Sequence, residues 1–328
     1  MLTNLLFDRI VSKTESAGVR FLGRRCLRSR FNKNQCRACL DECQEDALSF
    51  DGRTISFKQT TCTGCMRCAS VCPNDAFDAG VDLSHFLEIL DDSNQVVLTC
   101  RENAHFQPTL FIPCVGFLSE PLLAAMNIVA LENFYVDVTH CHDCRNNHCL
   151  SSFYEKMEKL TDRTKNNRLI ALKNRSTIKV VRSVDEGGTR RSYLHFAKRT
   201  IVNLGRKAVC SEQTDTIPPQ GHTDKGPVAA SIFLHNGYKN SPEDVKDVLL
   251  PYFYSVKVTG HCNLCPCCQG MCPTGALKRT ADGRGGKRLM FTSSACSGCG
   301  LCVDFCKRKA IEVSRGITGD PGEALRIC

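Results

Sequence analysis

The chain has 328 residues, 24 of them cysteine, and a formal charge of +9 from 43 Lys and Arg against 34 Asp and Glu. That length suffices for two or three domains with modest cores and excludes a single small disulfide-held scaffold. No run reaches the roughly 18–20 consecutive apolar residues that a membrane-spanning helix needs, so bilayer contact is expected only at the surface or through a partner.

The opening residues, Met1 to Arg20, hold a short apolar stretch before Arg9 and no small-residue cleavage site. A cytoplasmic location follows as the expectation, and with it thiols that bind metal rather than pair as disulfides. The first cysteines come as Cys26-x9-Cys36-x2-Cys39-x3-Cys43. Leu48-Ser49-Phe50 and Thr54-Ile55-Ser56-Phe57 then flank Asp51-Gly52, a strong hairpin signal. Behind the hairpin lies Cys62-x2-Cys65-x2-Cys68-x3-Cys72, followed by Pro73.

The middle of the chain alternates differently. Gln95 to Cys100 predicts a buried strand ending in a cysteine, and Thr109 to Pro113 a second short strand leading into Cys114-Val115-Gly116. An apolar helix is predicted around Leu122 to Val129, and a third strand near Tyr135 to Thr139 delivers Cys141, Cys144 and Cys149. Cysteines at the carboxyl ends of strands in an α/β alternation stand where open sheets place their ligands.

Arg190 to Ala208 puts Leu194, Ala197, Ile201, Leu204 and Ala208 on one helical stripe with Arg191, Lys198, Arg199, Arg206 and Lys207 around the rest. Such a helix packs on its own protein, lies on a membrane surface or docks an acidic partner. Ser211 to Pro227, with Pro218 and Pro219 and no periodicity, reads as a linker. Beyond it come Cys262-x2-Cys265-x2-Cys268-x3-Cys272 with Pro273, the turn residues Asp282-Gly283, and Cys296-x2-Cys299-x2-Cys302-x3-Cys306 with Lys307.

One cysteine phrase thus recurs, three times cleanly and once loosely, and the last cysteine of each is followed by Ala47-Leu48, Ala76-Phe77, Ala276-Leu277 or Ala310-Ile311. In these residues the sequence resembles the bacterial two-cluster ferredoxins. Three thiolates on a tight loop cap three irons of one cubane, and the fourth points to the neighbouring cluster. The resemblance implies four [4Fe–4S] clusters: Cys26, Cys36, Cys39 and Cys72; Cys62, Cys65, Cys68 and Cys43; Cys262, Cys265, Cys268 and Cys306; and Cys296, Cys299, Cys302 and Cys272. Structural zinc, which needs only two cysteine pairs, fits these repeated four-ligand phrases poorly.

Two features depart from the family phrase. Nine residues separate Cys26 from Cys36, in a loop carrying Arg28, Arg30 and Lys33, so Cys26 reads either as a ligand or as a free thiol that leaves a three-iron or labile site. Cys267 adjoins Cys268, but only Cys268 keeps the spacing. Cys210 and Cys328 fit no phrase and read as structural thiols.

The central order of strand-Cys, Pro-Cys-x-Gly, helix, strand and further cysteines resembles the small hydrogenase iron–sulfur (delta) subunit found with heterodisulfide reductases. That resemblance implies a [2Fe–2S] cluster on Cys100, Cys114, Cys141 and either Cys144 or Cys149. His140, His142 and His148 interleave with these cysteines and keep zinc open as a second reading, and a site without metal as a third.

The fold expected is α+β: a ferredoxin-like module over 1–90, a central α/β domain over 91–183, the basic helix and linker over 184–245, and a second ferredoxin-like module over 246–328. Each oxidised four-thiolate cubane adds about −2, so four of them bring the +9 chain near neutrality and remove the composition argument for nucleic acid. No dinucleotide turn, P-loop or radical-SAM cysteine order is present. The leading expectation is a non-catalytic electron carrier for a flavoprotein, hydrogenase, formate dehydrogenase or heterodisulfide-reductase-like partner. A catalytic subunit acting through the central cysteines and an iron–sulfur redox sensor are the alternatives.

Overall fold

Five small sheets organise the described residues of the computed structural model. These are residues 15–173 and 225–328, except 17, 53, 82, 84–85, 87–88, 91–95, 101–109, 131–132, 165–166, 242 and 283–284. The basic stretch 190–208, Cys210 and residues 211–224 lie outside them.

The N-terminal unit runs β1 (Glu15–Ser16), β2 (Val19–Phe21), α1 (Leu27–Arg30), α2 (Ala38–Glu42), β3 (Leu48–Phe50), β4 (Ile55–Phe57), α3 (Arg67–Val71) and β5 (Phe77–Asp78). β3 and β4 form the hairpin expected around Asp51-Gly52, with Leu48 opposite Phe57. β2 pairs antiparallel with both β1 and β5, so the start and end of the unit close on each other. Alternation buries Val19, Phe21, Ile55 and Phe57, and Phe77 sits 5.5 Å from Phe21 and 6.1 Å edge-on from Phe57. Across the cysteine loops, Arg67 donates to Glu42 at 2.7 Å and ties α3 to α2.

The central unit is a parallel sheet of β6 (Val96–Thr99), β7 (Leu110–Phe111), β8 (Phe134–Asp137) and β9 (Leu169–Leu172) in the order β7-β6-β8-β9. Helices α4 (Glu120–Val129) and α5 (His148–Arg163) connect its strands, and Ser119 caps α4 by accepting from the Leu122 amide at 3.4 Å. Both faces of a parallel sheet must be covered. A further helix, α6 (Ala229–Asn240), follows the stretch read as linker and packs on α4. Gly237 permits the approach: a Cβ there would lie 3.3 Å from Val129 and 3.5 Å from Leu249. Phe233 and Leu234 of α6 thereby join Phe134, Phe153 and Leu123 in one core, each such side chain contributing about 1.5–3 kcal/mol of burial.

The C-terminal unit runs α7 (Glu243–Lys246), β10 (Tyr254–Val258), α8 (Cys267–Met271), β11 (Leu277–Ala281), β12 (Lys287–Thr292), α9 (Leu301–Asp304), β13 (Ile311–Arg315) and β14 (Ala324–Arg326). β10 pairs antiparallel with β13 as β2 does with β5, and β11 with β12 as β3 does with β4. β14 adds a third strand to the hairpin and brings Cys328 against this core.

Candidate metal centres

The cysteine phrases share a backbone device. The residue just before each repeated alanine is left-handed, Asp46 (φ 45), Asp75 (φ 49), Gly275 (φ 76) and Lys309 (φ 49), and each of those alanines is 1–2% exposed. The turn aims the alanine amide back at the last cysteine: Ala76 donates to Cys72 Sγ at 3.2 Å and Ala310 to Cys306 Sγ at 3.4 Å. A larger side chain would not fit at these buried positions, which accounts for alanine in the repeat. Earlier in the phrases Leu264 donates to Cys262 Sγ and Gly298 to Cys296 Sγ, both at 3.4 Å. Amides aimed at sulfur favour thiolate and hold ligands in place.

The sulfurs gather by exchange between phrases. Cys43, Cys62, Cys65 and Cys68 line one cavity, and Cys272, Cys296, Cys299 and Cys302 line another. Cys262, Cys265, Cys268 and Cys306 line a third, of about 420 Å³, joined there by Cys267. Burial pushes Cys39 up to about 12, and the charge neighbours that add to it are Cys72, Cys36 and Cys26. Burial likewise raises Cys302, with Cys299, Cys296 and Cys272 beside it, and brings Cys296 to about 12. So many buried thiols need a cationic partner before they ionise, which a metal core supplies.

Two buried hydroxyls test whether a cubane suits these cavities. Thr63 Oγ1 and Ser297 Oγ, each one residue after the first cysteine of its loop, line the cavities and have no nitrogen or oxygen partner; Ser297 faces the Cys299 sulfur. Donors of this kind find acceptors in the sulfurs of an iron–sulfur core, so the residues present fit the group.

The central cysteines divide. Cys100 and Cys141 are buried at the ends of β6 and β8, and Cys144 accepts the Asn146 amide at 3.4 Å. Cys149 and His148, at the start of α5, instead meet Cys65 of the N-terminal unit, with ligand atoms all within 4.8 Å. The Cys114 thiol also neighbours Cys149. Among the described residues no other three-ligand group is that tight, and none includes Cys100, Cys141 or Cys144. A hydrogen bond from Cys149 lowers Cys65 to about 5 against burial, with the Arg67 amide and His148 assisting. His148 Nε2 is otherwise buried without a nitrogen or oxygen partner. His142, by contrast, is exposed.

This meeting of Cys65 with Cys149, 84 positions apart, is not legible in local spacing. The Pro-Cys-x-Gly motif held its only signal: a Cβ on Gly116 would strike the Cys65 carbonyl and come within 2.9 Å of Cys149 Sγ. Asn146 donates to the Thr63 carbonyl at 3.3 Å, so the carboxyl end of the central sheet rests on the second N-terminal cysteine loop. Asp137, buried at the end of β8, accepts from Thr139 N at 3.0 Å and from Thr99 Oγ1 at 3.3 Å and fixes the turn leading to Cys141.

A family described as the 4Fe-4S dicluster domain matches residues 34–76, which contain Cys36, Cys39, Cys43, Cys62, Cys65, Cys68 and Cys72. This segment is a ferredoxin-like iron–sulfur unit. The comparisons with curated proteins and with solved structures give no match. The chain is therefore a metal-binding protein that takes [4Fe–4S] clusters in its N-terminal part. Among the described residues no helix is long and apolar enough to cross a membrane.

Proposed function

We propose that the protein relays electrons through four [4Fe–4S] sites, two in each cysteine unit, to or from a partner oxidoreductase. The observation that carries this reading is the repeated exchange of the last cysteine between loops, with both units built on an outer strand pair around a hairpin. The ligand sets are Cys26, Cys36, Cys39 and Cys72; Cys43, Cys62, Cys65 and Cys68; Cys262, Cys265, Cys268 and Cys306; and Cys272, Cys296, Cys299 and Cys302. A cubane bound in such a set supplies one-electron chemistry, and four cysteine ligands leave no iron open to substrate. The chain holds the sulfurs, donates amide and hydroxyl hydrogen bonds to them, and sets the local charge.

The partner is of the flavoprotein, hydrogenase, formate dehydrogenase or heterodisulfide-reductase-like class. Metal analysis after anaerobic reconstitution tests the reading: about 16 irons per chain are expected. Eight or fewer would confine the clusters to one unit and overturn it.

A second reading concerns Cys65, His148 and Cys149. Ligands of one tetrahedral zinc lie about 3.8 Å apart, from metal–sulfur bonds of about 2.3 Å, so this trio suits three of the four ligand positions of a single ion. Cys65 would then be lost to the second cubane. About one zinc with about 12 irons is its signature, whereas a central [2Fe–2S] cluster on Cys100, Cys114, Cys141 and Cys144 or Cys149 adds about two irons to the 16.

A further inference from the structure

The widened loop between Cys26 and Cys36 does not hang in solvent. It docks on the C-terminal unit more than 240 residues away in sequence. Phe31 packs edge-on against Phe305 with ring centres 5.1 Å apart. Asn34, 6% exposed, donates to Asp304 Oδ2 at 2.7 Å while its Oδ1 accepts the Cys36 amide at 3.0 Å. One side chain therefore ties a ligand of the first site to α9, the helix that carries Cys302 of the fourth. The start of the loop is fixed as well: Arg25 Nε donates to the Asn74 carbonyl at 2.9 Å, and Asn74 Nδ2 donates to the Arg25 carbonyl at 2.5 Å.

Arg30 stands at the centre of this contact. Its amide donates to the Cys26 carbonyl at 3.0 Å, one helical turn after a ligand of the first site. Cys272 and Cys299 of the fourth site are charge neighbours of its guanidinium, which carries a buried Nε with no nitrogen or oxygen partner. An unpaired buried donor beside thiolates is satisfied by sulfur.

We propose that the Cys26–Cys36 loop is an electron junction: it seats the first site against the fourth and lends the fourth the positive charge of Arg30. Within each unit the sites already adjoin, Cys68 being a charge neighbour of Cys39 and Cys302 of Cys268. The four sites then run in the order second, first, fourth, third, and an electron crosses between units at the contact made by residues 27–35. The crossing oxidises one site by one electron and reduces the other by one, with no bond broken and no proton moved; the redox partner supplies the electron.

This inference rests on the four-site reading, and one set of measurements separates the two. Redox titration followed by EPR is run on the reconstituted full chain, with iron counted in every sample. A nearby cation stabilises the more negative reduced state, so Arg30→Gln lowers one midpoint potential, and Arg30→Lys restores it. In the Cys299→Ser background, where the fourth site is lost, Arg30→Gln shifts none of the remaining signals. Asp304→Asn serves as a second variant, removing a negative charge from the C-terminal side of the contact, and raises the potential that Arg30→Gln lowers. A shift that persists in the Cys299→Ser background, or full iron with no shift in either variant, overturns the junction while leaving the relay standing. An iron count of eight or fewer in the unsubstituted protein overturns the relay itself.

Discussion

The two cysteine units share a strand plan and differ in what surrounds their loops. In the N-terminal unit both loops are covered: the Cys26–Cys36 loop by α9 of the C-terminal unit, the Cys62–Cys68 loop by the carboxyl edge of the central sheet. In the C-terminal unit one loop is covered and the other stands open, with Cys265 and Cys267 at the mouth of its cavity beside Lys307 and Arg308. The same cysteine phrase thus stands in different surroundings, and insertions and neighbours decide which loops face inward.

The largest expected effect lies at the tightest cover. Gly116→Ala places a methyl against the Cys65 carbonyl and within 2.9 Å of Cys149 Sγ, both held by packed elements. Overpacking of this kind costs about 1–3 kcal/mol. Gly270, in α8 of the open loop, has nothing within 4 Å of an added Cβ, so Gly270→Ala is neutral or slightly stabilising. Thermal unfolding of the two reconstituted variants checks this pair. Equal melting temperatures would show that the central sheet does not press on the N-terminal loop.

What the sequence made legible follows the range of each interaction. The hairpin at Asp51-Gly52, the strands leading to Cys100, Cys114 and Cys141, and the alanines after each phrase are written in adjacent residues, and the structure contains them. Three things were hidden. α6 joins the central core by packing on α4 from about a hundred residues further along the chain, and its Phe233 and Leu234 look like any short apolar pair. His148, one of three interleaved histidines, is singled out only by the approach of Cys65. The nine-residue spacing before Cys36 reads as a defect in the phrase until Asp304 and Phe305 are seen against it.

The Asn34–Asp304 bond is the next effect in size. A hydrogen bond to a charged group contributes about 1.5–3 kcal/mol, and part of that is regained by solvation when both partners are removed. A double-mutant cycle with Asn34→Ala and Asp304→Ala, followed by urea unfolding under anaerobic conditions, should give a coupling of about 1–2 kcal/mol. Strict additivity would mean that the two units unfold without sensing each other. The matching cycle on Ser255 and Ser314, whose hydroxyls lie 2.7 Å apart in the exposed outer pair of the C-terminal unit, should give no more than about 0.5 kcal/mol.

The smallest difference separates the outer strand pairs themselves. β10 and β13 pair along five residues, whereas β2 meets β5 along two and is helped by Arg20 donating to Asp78 at 2.7 Å. The Gly80 amide, then Arg20, holds the Asp78 carboxyl below its ordinary value of 3.8 against a modest burial cost. A depressed carboxyl stabilises the fold above that ordinary value and loses the contribution only as acid protonates it. With side chains 59% and 35% exposed, solvent limits the ion pair to about 0.5 kcal/mol. Asp78→Asn should therefore speed amide hydrogen exchange in β2 and β5 by about twofold, constant from pH 8 to pH 5, and leave β10 and β13 untouched. A difference that grew across that pH range would assign the effect to another titrating group, and an equal response in β10 would mean that the two outer pairs open as one.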